Sequence, residues 1–108
     1  MATARMPQPT ADDPVKVDPK HYKVEFENDC VRVLRIKYGP GEKSVMHSHP
    51  ESIAVFLNDA HTKFTYPDGR TEDINANAGT VLHMDAFTHL PESTSNTPFE
   101  VIAVELKR

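Results

Sequence analysis

The sequence predicts an all-β domain closed as a barrel or sandwich, and three observations carry that expectation. From His21 onward the chain is a succession of short runs rich in Val, Ile, Phe, Tyr and Thr. Gly, Pro, Asn and Asp break these runs at close intervals, and those residues supply turns. No stretch keeps an apolar repeat of helical period long enough to define a helix. Eight or so short strands must close on themselves or cover their edges, because an open edge invites pairing with other chains. An open meander is the alternative.

The elements follow in order. Residues 1–19 carry four of the nine prolines and almost nothing to bury, which predicts a flexible tail ahead of a single domain spanning residues 20–108. Val24 and Phe26 alternate with Glu25 and Glu27 as in a half-buried strand, and Asn28 and Asp29 turn the chain. Residues 30–38 form the next strand, with Leu34, Ile36 and Tyr38 on one face and Arg35 and Lys37 on the other. Residues 39–41, Gly-Pro-Gly, end it. Residues 53–58 are nearly continuously apolar, which predicts a strand covered on both faces. Residues 62–66 and 70–74 flank Pro67, Asp68 and Gly69, a hairpin turn in which proline presets one φ and glycine permits a positive one. A strand at residues 80–84, a loop at 91–98 and a last strand at 99–106 complete the chain.

A chain of 108 residues supports one compact domain, of a size that often gains from dimerisation. Twelve basic residues against sixteen acidic ones give a formal net charge of -4 without a basic cluster, which argues against a nucleic-acid partner. Cys30 is the one cysteine, so no intramolecular disulfide forms, and its place in an apolar run predicts a packing role. No run has the length of a membrane helix and the N-terminus lacks the apolar core of a signal peptide, so a soluble cytoplasmic protein is expected.

His47 and His49 lie one residue apart. On an extended strand residues i and i+2 face the same side, so both imidazoles reach one ion without a special bend. His89, after the second glycine-led apolar run, closes a three-imidazole face if the strands lie side by side, leaving positions open for substrate. His83, on the run leading to His89, is a candidate acid or base, its ordinary pKa being near neutral, with packing in the barrel wall as the alternative. His61 opens the hairpin and reads as exposed, and His21 as surface. Pro50 interrupts the strand before Glu51, which therefore reads as leaving the site. Tyr38, Met46, Phe56, Met84 and Phe87 are apolar enough to wall a pocket, or to be plain core.

With both histidine stretches placed, the sequence resembles a small single-domain cupin over residues 22–106. The family's first motif sets a glycine five residues before His-x-His, then a glutamate after three or four residues and a glycine after six more. Gly41, His47 and His49 keep that spacing, with Ile53 at the glutamate position and Ala60 at the second glycine position. In the second motif Gly79 is present, Asp85 and Phe87 stand at the proline and glycine positions, and His89 comes one residue early.

The resemblance implies a double-stranded β-helix of jelly-roll type and a divalent metal held by His47, His49 and His89 without the family's carboxylate. Three-histidine shells of this kind occur in cupin iron dioxygenases acting on thiols, β-diketones and gentisate-like acids. Fe(II) therefore ranks first as cofactor and zinc second, with a small organic molecule as substrate. A non-catalytic binding cupin and a metal-dependent isomerase or lyase are the alternatives. A homodimer, formed through an edge strand or the N-terminal segment, is the expected assembly.

Overall fold

Alternating side chains sort each long run into a face that meets a second sheet and a face that does not. The computed structural model describes residues 12–108. After a single helical turn, α1 (Pro14–Val17), come nine strands: β1 (Tyr22–Glu27), β2 (Val31–Tyr38), β3 (His47–His49), β4 (Ser52–Phe56), β5 (Ala60–Thr65), β6 (Thr71–Ala76), β7 (Val81–Met84), β8 (Phe87–Ser93) and β9 (Phe99–Leu106). They pair antiparallel in two sheets, ordered β1-β2-β9-β4-β7 and β3-β8-β5-β6.

The core lies between the sheets. Leu34, Tyr38, Ala54, Phe56, Phe99, Val101 and Ala103 are buried on the inward faces of β2, β4 and β9. Ala54 stands opposite Ala103, and Ala103 opposite Leu34. Two alanines at the middle of the inward surface leave space where larger side chains would meet. The hairpin at residues 65–71 forms as expected, with Gly69 at φ 88°.

Three expectations are corrected. Val24 and Phe26 are exposed, at 42% and 54%. A bulge between them shifts the register on an edge strand whose Tyr22 alone reaches the core. Cys30 is exposed, because the β1–β2 turn, in which Asn28 Oδ1 accepts from Cys30 and Val31 N–H, holds it outside the strand. Residues 87–93 are a strand although Pro91 lies inside it. Pro91 has no N–H to give, but its carbonyl accepts from Ser44 N–H at 3.0 Å.

Of the N-terminal segment, residues 1–11 lie outside the described part. Residues 12–19 are attached to the barrel: Pro14 is buried, Val15 packs on the core, and Asp13 caps α1 while pairing with Arg32. Polar and apolar contacts together hold it there.

Candidate metal centre

β3 and β8 lie side by side, with His47 directly opposite His89 and His49 opposite Phe87. Parity puts His47 and His49 on the same side of β3, and the register brings His89 to them from 42 residues away in sequence. The three are buried, His47 completely, and one donor nitrogen of each lies within 4.8 Å of the others. His47 Nε2 and His89 Nε2 are 3.1 Å apart. Two nitrogens bound to one ion at about 2.1 Å, at angles of 90–110°, stand roughly 3.0–3.4 Å apart, so this pair has ligand spacing.

Hydrogen bonds set the tautomers. His47 Nδ1–H donates to the Val45 carbonyl at 2.8 Å, and His49 Nδ1–H to Glu105 Oε2 at 3.0 Å. Both Nε2 lone pairs are left for an ion, as in metal sites whose ligand histidines give their other N–H to an oxygen. His89 Nδ1 is buried without a partner among the described residues. Burial, reinforced by the His49 charge, lowers the His47 pKa to about 4. Burial and the charges of His49 and His47 hold His89 well below the ordinary range. Burial thus favours neutral His47 and His89, and with the His49 ring converging on them the donor set fits a divalent ion.

Glu105 escaped the sequence reading. It is 2% exposed on β9, accepts from His49, and accepts from Arg32 Nε at 2.8 Å. Arg32 in turn grips Asp13 with two guanidinium nitrogens, at 2.9 and 3.0 Å. The signal was present: Glu105 shares parity with the inward Phe99, Val101 and Ala103, and Arg32 with Leu34, Ile36 and Tyr38. A charged residue at an inward position of a strand marks a buried polar contact. Asp18 and Ser44 were missed as well; Ser44 Oγ donates to Asp18 Oδ2 at 2.5 Å and lies 3.4 Å from His47 Nδ1.

Beside the histidines lies a cavity of about 70 Å³. Tyr38, Phe56, Met84 and Phe87 wall it, together with Phe64 and Ala103; Met46 does not. Tyr22 Oη and Tyr38 Oη share a hydrogen bond of 2.7 Å at its wall. Burial raises the pKa of both hydroxyls, so they stay neutral.

Other sequence candidates fall elsewhere. Ser52 and Ala54 face the cavity, so Ile53 between them turns to the outer face, opposite Val104 and His83. Ile53, which stands at the glutamate position of the resemblance, therefore lies outside the cavity. His83 is half exposed on that outer face and bonds Glu51 at 2.7 Å; β7 parity sends Met84, not His83, to the cavity. Glu51 also binds Arg108, outside the site. His61 is exposed against Asn75. His21, expected at the surface, is buried: its ring stacks on Tyr38 at 4.2 Å between centroids and bonds Asp18 and Glu42.

Two antiparallel sheets in this order around an inward three-histidine cluster give the chain a cupin-type fold, a jelly-roll β-barrel, and among the described residues the cluster holds no carboxylate. No family model and no curated protein match the sequence. Solved structures do match its fold. A cupin domain from Bordetella pertussis superposes with a TM-score of 0.74 at 20% identity, covering 81% of this chain and 92% of that one. A double-stranded β-helix protein from Klebsiella pneumoniae gives 0.61 at 16% identity, over 81% and 83%. Oxalate decarboxylase of Bacillus subtilis, a protein with Mn(II) centres, gives 0.57 at 19% identity, over 73% of this chain and 22% of its own. Among the described residues no helix is long and apolar enough to cross a membrane.

Proposed function

We propose that this chain is a metal-dependent enzyme acting on a small organic molecule, with a three-histidine iron dioxygenase as the specific reading. The observation that carries it is the convergence of His47, His49 and His89, of which His49 and His89 line a largely apolar cavity. Fe(II) is the proposed cofactor, with zinc second; when bound, such an ion acts as a Lewis acid and, if iron, as a one-electron partner for dioxygen.

The chain's own groups account for the rest. Three imidazole ligands add no negative charge, so an anionic chelating substrate, such as a thiolate, enolate or hydroxy-acid, gains attraction that a carboxylate ligand would oppose. Ala54, Phe56, Phe64 and Phe87 keep water from the bound molecule. The neutral Tyr22–Tyr38 pair offers a hydroxyl donor at the wall. A cavity of about 70 Å³ suits a small molecule.

A non-catalytic binding cupin is the second reading, favoured by one observation: His83, the candidate acid or base, faces away from the cavity. A homodimer and a cytoplasmic location belong to the proposal. A row of Phe26, Val33, Val104 and Ile53 runs in register across four strands of the outer face and gives a second copy an apolar surface.

Two measurements test the reading. Protein purified without a histidine tag is assayed for bound metal, with one divalent ion per chain expected. Anaerobically iron-loaded protein is then screened for dioxygen uptake with small thiols, β-diketones and hydroxy-acids beside His89→Ala. Uptake no greater than that of the variant across the panel rejects the dioxygenase, and tight binding without turnover then selects the binding module.

A further inference from the structure

Residues 12–18 grip the histidine-bearing strand at three places. β3 is the outer strand of its sheet, and its free edge is met by Asp12. Ser48 N–H donates to the Asp12 carbonyl at 3.0 Å, and Ser48 Oγ to the Asp12 carboxylate at 2.7 Å. Ser48 stands between His47 and His49, so this contact fixes the backbone that carries both. Behind His47, Ser44 Oγ links Nδ1 to Asp18. Behind His49, Glu105 links Nδ1 through Arg32 to Asp13, by contacts of 2.8 to 3.0 Å.

We propose that residues 12–18 are a positioning strap for the metal centre, holding His47 and His49 in ligating orientation through Ser48, Ser44 and the Glu105–Arg32 pair. This rests on the metal reading above. β3 has only three residues, paired on one side to β8, and so short an edge strand opens readily by itself. With the strap docked, the two imidazoles are ordered before an ion arrives, and less freedom is lost on binding. Binding couplings are reciprocal, so an ion that is helped by the docked strap must hold the strap down in return. The Asp13–Arg32–Glu105 chain carries a further consequence. The fork of Arg32 on Asp13 fixes the guanidinium that orients Glu105, and Glu105 fixes the ring of His49. Asp13 thus acts on the ion through three intermediaries without approaching it.

The experiment uses the full chain with zinc or Co(II) alone as probe. In wild-type protein, saturating zinc is expected to slow amide hydrogen exchange at residues 15–18 and at Ser48 at least about tenfold, and by clearly less along β6 at the far edge of the same sheet. Glu105→Gln and Asp13→Asn are expected to lower Co(II) affinity about 10- to 100-fold and to alter its visible absorption, with Asp13→Glu restoring part of the loss. Purely structural packing of the segment predicts lower stability but an unchanged Co(II) spectrum. If the ion binds wild-type protein while exchange in residues 15–18 does not respond, the proposal is overturned whatever the variants do. If neither zinc nor Co(II) binds wild-type protein, the metal reading itself fails and the strap fails with it.

Discussion

Lowering the pH of the metal-free protein tests the burial of the histidine cluster through one residue. The His47 pKa is lowered to about 4, first by burial and then by the charge of His49, while the Val45 carbonyl opposes the shift. In the unfolded chain the group returns to about 6.5. Between those values the unfolded chain binds more protons than the folded one, so stability rises with pH and is lost as pH falls through this window. Between about pH 7.5 and pH 5 the loss from His47 is about 2 kcal/mol, rising to about 3 kcal/mol below pH 4. His89 adds to it in the same direction.

Depressed carboxylates act lower. Glu42 is held near 2, first by the Gly39 N–H, and Asp13 is lowered with Arg32 as partner; such groups lose their contribution only as pH falls below the ordinary carboxylate range. Urea unfolding of metal-free wild type and His47→Gln at about pH 7.5 and pH 5 isolates the effect, because groups common to both cancel. Wild type is expected to lose about 2 kcal/mol more than the variant over this range. Removing His47 also eases protonation of His89, which changes the difference in the same sense. Parallel losses in the two proteins, or a smaller loss in wild type, would refute a buried neutral His47.

Two further substitutions separate the cavity from the outer face. Ala103→Leu, opposite Ala54 and Leu34, fills the cavity and is expected to abolish small-ligand binding while metal stoichiometry stays at the wild-type value; overpacking changes stability by about 1–3 kcal/mol in urea unfolding. His83→Ala, on the exposed outer face, is expected to leave metal affinity within about twofold and stability within about 0.5 kcal/mol, by metal competition and urea titration.

The sequence by itself determined the strand class, the β5–β6 turn and the histidine pair, because these depend on local rules. Alternation gives the faces of β2 and β9, proline and glycine give the turn at residues 67–69, and parity puts His47 and His49 on one side. It also carried a trace of Glu105 and Arg32, charged residues at inward positions whose partners no local rule supplies. Tertiary structure alone decided which strands touch. The β3–β8 pairing brings His89 to His47, and the pairing of β2 with β9 brings Arg32 to Glu105. Facing at the family's glutamate position turned on strand parity beyond Pro50, which sends Ile53 and His83 outward and Ala54 inward. Residues 12–18 had no periodicity to announce them, because their attachment depends in large part on carboxylates meeting Ser48, Ser44 and Arg32, and such contacts exist only once the barrel has closed.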